Sequence, residues 1–221
     1  MRLAEPLTFA LPKGRILDQA APLFARAGLD LAEVSAGDRR LQLELPGGSR
    51  LLLVKPADVH TYVNHGIADL GVAGGDTLHE AEDADKEHLY EPLDLGIGAC
   101  RLVVAEPCRA LVRRGAPLRV ATKYPRTAQR HYRARGIQPV IIPLHGSVEL
   151  GPVTGLSDQI VDLVESGETL RQNDLREVAT ILHVTSRLIV HQASLKLKHD
   201  AVAPVIAALR DAVAAGGPRS Q

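Results

Sequence analysis

The stretch from Gly155 to Leu170, GLSDQIVDLVESGETL, joins three carboxylates to a turn of small residues. Asp158, Asp162 and Glu165 recur at i, i+4 and i+7, while Leu156, Ile160, Leu163 and Val164 repeat at a different helical phase. That spacing predicts a helix over 156–165 with an acidic face and an apolar face. Ser166-Gly167-Glu168-Thr169 then supplies two hydroxyls and a glycine at the opening of a further helical segment. Free N–H groups at such a turn favour an anion. Carboxylates just ahead of a phosphate cradle suit a phosphorylated sugar, with the acids on ribose hydroxyls or a hydrated Mg²⁺ and the turn on the phosphate. A solvated acidic face followed by an ordinary Ser-x-x-Thr helix cap has the same spacing.

Cations form a second set. Lys13 and Arg15 flank Gly14 where an apolar strand turns into a helix, and a helix start disfavours positive charge unless an anion is bound there. A polyanion at the carboxyl edge of a sheet would account for them. Lys123 and Tyr124 follow a second apolar strand, and the ring there could stack on a base or pack in the core. The nine histidines show neither HxH nor HExxH spacing, so a zinc site is not expected. P-loop, GxGxxG and nucleophile-elbow motifs are absent.

The elements that must position these residues alternate between period two and period 3.6, the mark of an α/β chain. Strands are expected at 7–11, 41–45, 50–54, 69–73, 93–104 (two), 119–122, 140–143, 178–182 and 187–190. Helices are expected from Ile16, at 57–65, 126–135 and 156–165, and at 201–214, the last fraying into Gly216-Gly217-Pro218. Pro46-Gly47-Gly48-Ser49 reads as a hairpin turn, Gly74-Gly75-Asp76 as a turn, and 80–88 as acidic solvated surface. No low-complexity linker interrupts the chain. Two α/β lobes around a central cleft would therefore be joined by crossing strands, one crossing at Gly96-Ile97-Gly98 and the return near 183–186. The lobes are expected at 1–95 with 184–221, and at 96–183.

Composition excludes other classes. The 221 residues are 45% hydrophobic and 24% charged, and 26 Lys and Arg balance 26 Asp and Glu. No global field draws the chain to nucleic acid or an anionic membrane. Two Phe, four Tyr and no Trp make a base-stacking surface improbable. No apolar run approaches the ~20 residues of a membrane span, and residues 1–15 lack a secretory h-region, so a cytoplasmic protein is expected. Cys100 and Cys108 read as ordinary thiols.

Residues 10–15 (ALPKGR), 55–59 (KPADV), 66–72 (GIADLGV), 121–125 (ATKYP) and 146–150 (GSVEL) running on to Leu170 together resemble the ATP phosphoribosyltransferase family. The resemblance runs from Leu7 to about Leu209. It implies the transfer of phosphoribose from 5-phosphoribosyl 1-pyrophosphate to N1 of ATP, opening histidine biosynthesis, on two α/β lobes like a type II periplasmic-binding protein. The length implies the short form, without a C-terminal regulatory domain. The expected partners are then a second catalytic chain in a homodimer and a histidyl-tRNA synthetase-like regulatory subunit in a hetero-octamer.

Position by position, the resemblance gives Glu165, Ser166, Gly167, Glu168 and Thr169 the 5′-phosphate, and Asp158 and Asp162 the ribose and metal side. Lys13, Arg15 and Lys55 would face pyrophosphate or triphosphate, with Mg²⁺ as cofactor and without a direct protein ligand set. Asp76, Lys123, Tyr124 and Glu149 would meet ATP. Many family members carry arginine at position 55 and lysine at position 75, where this chain has Lys55 and Gly75. Two rivals share much of this pattern. One is a non-catalytic cytoplasmic solute-binding or effector-binding protein of the same fold. The other is a phosphoribosyltransferase for a different base, a class that usually places two adjacent acids in a strand before its phosphate loop.

Overall fold

The computed structural model describes residues 3–31, 40–109 and 115–216, and of the end expected to fray, Gly216-Gly217-Pro218, all but Gly216 lies outside them. β1 (Thr8–Pro12) is buried along its whole length, and α1 (Arg15–Arg26) lays Leu17, Ala20, Leu23 and Phe24 onto the core. β2 (Gln42–Glu44) and β3 (Arg50–Val54) pair antiparallel around the Pro46–Gly48 turn. α2 (Val59–Asn64), β4 (Leu70–Gly74), α3 (Gly75–Glu80) and β5 (Leu89–Asp94) follow. The expected turn at Gly75-Asp76 is thus the first turn of a short helix.

Next come β6 (Cys100–Pro107), β7 (Arg119–Thr122), α4 (Pro125–Arg133), β8 (Val140–Pro143), α5 (Leu150–Val153), β9 (Gln159–Val164), α6 (Glu168–Gln172) and β10 (Leu175–Val184). β11 (Ser186–His191), α7 (Gln192–Leu197) and α8 (His199–Ala215) close the chain. Two compact units result, Met1–Gly98 with Thr185–Gln221, and Ala99–Val184.

The first unit carries a sheet in the order β2-β3-β1-β4-β11-β5, with β3, β1 and β4 parallel. One face packs Phe9, Leu11, Leu53 and Val72 on Leu23 and Phe24 of α1 and on Val202, Val205 and Leu209 of α8. The other packs Ala10, Ala73 and Ile189 on Val59 and Val63 of α2. Gly71 lets that helix approach, because a Cβ there would stand 2.8 Å from a Val63 methyl. Asp69, only 5% exposed, accepts Thr8 N–H and Ser194 O–H at 2.8 and 2.7 Å, and Lys198 Nζ lies 2.9 Å away. The buried carboxylate is therefore paired and hydrogen-bonded, which its burial requires.

The second unit carries a sheet in the order β10-β6-β9-β7-β8, with β7 parallel to both β8 and β9. Its middle strand, β9, overturns the helix expected over 156–165. Ile160 and Val161 are fully buried yet point to opposite faces, Ile160 against Val103 and Leu170, Val161 against Leu102 and Val120. A strand covered on both faces reads as a continuous apolar run, and six residues of such a run carry no periodicity that separates strand from helix. The β-branched Ile160, Val161 and Val164 settle it toward strand. Among the described residues, no helix is long and apolar enough to cross a membrane.

Candidate active site

In the first unit, Pro12 of β1 pairs with Val54 of β3, so Lys13 and Lys55 leave the sheet side by side. The Lys13 N–H donates to Val54 C=O at 3.0 Å, and both side chains are exposed. Gly14 has φ 84° and ψ −151°, backbone open to glycine and closed to residues with a Cβ. It turns the chain so that Arg15, also exposed, begins α1 directly. Beside β1, β4 ends at Gly74, and the Asp76 carboxylate folds back over it. A Cβ on Gly74 would stand 2.2 Å from Asp76 Oδ1. Lys13, Arg15, Lys55 and Asp76 therefore share the carboxyl edge of three parallel strands, the edge where open α/β sheets bind ligands.

The second unit gathers its residues in the same way. Lys123 follows β7, Gly146 to Glu149 follow β8, and Glu165 to Thr169 follow β9, all three strands being parallel. The Thr122 hydroxyl pins the first turn, donating to Val161 C=O at 2.6 Å and accepting the Tyr124 N–H at 2.8 Å. Ser147 is held at φ 47°, an uncommon conformation for a residue with a side chain. In the third connection, Gly167 at φ 80° caps α6 and the Ser166 hydroxyl accepts the Glu168 N–H at 3.3 Å. Glu168 pairs with Arg171 and accepts from Gln172 Nε2 at 2.9 Å, so its charge runs along α6. Asn173 Nδ2 donates to Thr169 C=O at 2.9 Å.

The strand conformation of β9 separates the two aspartates. Asp162 stands half-buried near the carboxyl end on the face of Ile160 and Val164, its Oδ1 accepting the Leu163 N–H at 2.8 Å. Asp158 precedes the strand at the amino edge, about 13 Å away at ~3.3 Å per residue. There it is held by Arg119, whose Nη2 donates to Oδ1 at 2.8 Å while its backbone N–H and Nε donate to Oδ2 at 2.9 and 3.2 Å. The structure brings Asp162 to the 165–169 loop and leaves Asp158 at the opposite end of the sheet. The Tyr124 ring packs among Leu102, Val104, Val120, Ala128 and Val161 with 8% exposure, so it fills the core and is not offered to a base.

Arg101 is absent from the candidates that the sequence offers. Its Nη1 donates to Glu165 C=O at 3.2 Å, and its Nε and Nη2 hold both carboxylate oxygens of Glu177. The guanidinium keeps the Glu177 carboxyl below its usual range, with Thr180 O–H adding to the effect. The signal that could have found it, an arginine at the start of a buried strand, becomes specific only once β6 is paired with β9. Among the described residues, no group of three or more His, Cys, Asp or Glu is placed to hold a metal ion.

A family model described as ATP phosphoribosyltransferase matches residues 55–211. The ATP phosphoribosyltransferase of Sorangium cellulosum is 50% identical over 97% of this chain and 100% of its own length. The ATP phosphoribosyl transferase (HisG:HisZ) complex from Thermotoga maritima contains a chain that superposes with a TM-score of 0.80 at 33% identity, covering 95% of this chain and 99% of that one. The alkanesulfonate-binding protein SsuA from Xanthomonas axonopodis pv. citri superposes at 0.58 with 16% identity, covering 95% of this chain and 74% of that one, a likeness of fold alone.

Proposed function

The chain belongs to the ATP phosphoribosyltransferase family, and from that premise we propose which of its residues carry the reaction and what it assembles with. The reaction joins ATP to 5-phosphoribosyl 1-pyrophosphate, giving N1-(5-phosphoribosyl)-ATP and pyrophosphate. A bond forms from adenine N1 to the anomeric carbon as the bond from that carbon to pyrophosphate breaks. Adenine N1 already holds a lone pair, so the protein needs no strong base. Its task is to hold two polyanions in line and to stabilise charge on the departing pyrophosphate.

The carboxyl end of β9 carries the site assignment. There a half-buried acid, Asp162, leads within three residues into a turn whose Gly167 takes a left-handed conformation. The loop Glu165 to Thr169 would hold the 5′-phosphate through its backbone amides and the Ser166 and Thr169 hydroxyls. Asp162 would face the ribose hydroxyls. Lys13, Arg15 and Lys55 would meet pyrophosphate or triphosphate oxygens, and Asp76, Lys123 and Glu149 would border ATP. Asp158 and Tyr124 drop out of the chemistry, the first holding Arg119 and the second filling the core. Placement on a helix no longer separates this chain from phosphoribosyltransferases with paired strand acids. The spacing of Asp158 from Asp162 and the family match do.

The family's reaction needs a divalent metal, and we take it to be Mg²⁺. The donors fit a metal carried by substrate oxygens, since the described residues form no cage of three and a hard cation accepts a lone carboxylate through water. Asp162 is the residue that would hold it. Bound there, the metal would neutralise charge developing on pyrophosphate. The match to a chain of a HisG:HisZ complex supports a regulatory partner subunit of that kind, around a dimer of catalytic chains in the cytoplasm.

The test is ultraviolet detection of the N1-substituted adenine from ATP, phosphoribosyl pyrophosphate and Mg²⁺, with pyrophosphatase, with and without the partner subunit. Product only with the partner supports the short-form assembly, and full turnover by the chain alone overturns dependence on it. The double variant Gly167→Ala, Thr169→Ala is expected to raise the KM for phosphoribosyl pyrophosphate while the fold survives. An unchanged KM would remove the loop from the site.

A further inference from the structure

We propose that Arg101, clamped by Glu177, is a positioning residue that sets the direction of the backbone amides in the Glu165–Thr169 loop. The inference rests on the reading of that loop as the phosphate site. Register places Arg101 of β6 opposite Val164, the last residue of β9 before the loop. Its Nη1 donates to Glu165 C=O at 3.2 Å. The remaining donors are not loose: Nε lies 3.1 Å from each Glu177 oxygen and Nη2 lies 2.8 Å from Oε2. Glu177 in turn accepts the Thr180 hydroxyl at 3.0 Å.

A trans peptide fixes a C=O and the following N–H on opposite sides. Drawing Glu165 C=O toward the guanidinium therefore turns the Ser166 N–H the other way. Amides bind an anion only when their own carbonyls point elsewhere, since an inward oxygen would repel it. Ser166 is small and Gly167 is conformationally free, so sterics alone do not fix the 165–166 peptide. Arg101 supplies the missing constraint, and Glu177 prevents the guanidinium from swinging toward the phosphate as a direct ligand.

The same two strands carry an internal comparison. Arg176 and Glu106 form an equivalent pair, Nη2 to Oε1 at 2.7 Å, with no hydrogen bond to the loop. The Arg101–Glu177 pair is 32% and 28% exposed, and the Arg176–Glu106 pair 58% and 19%. Exposed pairs of this sort contribute little to stability. A loss in substrate binding confined to the first pair would therefore report on the loop.

Binding of phosphoribosyl pyrophosphate with Mg²⁺ and no ATP, measured by calorimetry on the full chain with its partner subunit, tests the proposal. Arg101→Gln and Glu177→Gln should each weaken binding about tenfold, the worth of one charge-assisted hydrogen bond. ATP affinity and the thermal midpoint should stay as in the wild type, and Arg176→Gln should bind normally. The double variant should bind no worse than Arg101→Gln alone, because the two residues act as one unit. Arg101→Lys should behave like Arg101→Gln, since a lysine cannot clamp a carboxylate and reach the carbonyl together. Normal binding by Arg101→Gln overturns the proposal. So does normal binding by Glu177→Gln or Arg101→Lys beside a weak Arg101→Gln, which would mean direct contact with substrate. Gly167→Ala, Thr169→Ala is run in parallel. If that variant binds normally, the loop reading itself falls, whatever Arg101 does.

Discussion

Lys13 and Lys55 emerge from the first unit's sheet on adjacent parallel strands, each following one residue of the paired couple Pro12 and Val54. Neighbouring strands lie about 4.8 Å apart, so the two backbones hold like charges close together, with Arg15 two residues on. Like charges held that close repel one another, and the polyanion of the proposed site would offset the repulsion. Lys13→Met is expected to lower kcat/KM about 10²-fold, the scale of one lost charge-stabilising donor, with the thermal midpoint unchanged or raised. Lys55→Arg should keep activity, because the guanidinium restores a two-pronged grip on phosphate. Loss of folding in Lys13→Met, read by circular dichroism, would contradict the assignment.

The two aspartates around β9 should respond oppositely. Asp158→Ala removes the partner of Arg119, which holds it through three donors, and should cost about 1–3 kcal/mol of stability with both KM values unchanged. Asp162→Asn should leave the thermal midpoint in place and lower kcat/KM for phosphoribosyl pyrophosphate. Denaturant unfolding and steady-state kinetics on the same preparations separate the cases. A KM effect at Asp158 would mean that the acids act together after all.

The same pair of residues shows what the sequence could and could not disclose. Most strands, and the turns at Gly14 and Gly167, follow from local rules: apolar alternation ends where a glycine permits a conformation other residues avoid. The turn at Ser166 to Thr169, which carries the proposed phosphate site, is legible because a glycine and hydroxyls after an apolar run are a local signal. The conformation of 156–165 was not, since its apolar residues suit a helical stripe as well as a strand buried on both faces. Only the neighbours on either side, β6 and β7, decide it. Arg101 escaped for a related reason. Its role depends on Glu165 and Glu177, 64 and 76 residues away, and no spacing rule reaches that far. Tyr124 looked like a site residue because it follows Lys123, but the Thr122 hydroxyl tightens the turn and the ring goes to the core.

Tyr124 accordingly makes a sharp prediction. A ring that stacked on adenine would tie substitution to the KM for ATP. A ring in the core ties it to stability. Tyr124→Ala should destabilise the chain by about 3–5 kcal/mol, the range for large aromatic truncations. Tyr124→Phe keeps the packed volume and should leave the KM for ATP unchanged. A raised KM for ATP in Tyr124→Phe, with the thermal midpoint intact, would return the residue to the nucleotide site.

Acid sensitivity should begin with histidines, ahead of the carboxylates. Burial lowers the pKa of His60, with Asp85 and Asp58 pulling the other way. Burial lowers that of His131, and Arg135 lowers it further. Geometry agrees at His131, because Arg135 Nη1 stands 3.1 Å from its Nδ1, a contact that suits a ring nitrogen without a proton. His191 is lowered by burial and then by His88. In each case the unfolded chain takes up a proton near the ordinary value of 6.5 while the folded chain still refuses it. Protons bound then favour unfolding, so stability is full above that value and falls as pH drops toward the lowered folded values. Glu106 and Glu177 are lowered as well, but by pairing with Arg176 and Arg101, which favours their charged forms, so their stabilisation is lost only at still lower pH. Denaturant unfolding between about pH 7 and pH 5 should therefore show stability decreasing with acid. His131→Gln should make the decrease shallower, since one of the three groups no longer titrates. A flat profile across that window would mean that these rings accept protons as readily in the fold as out of it.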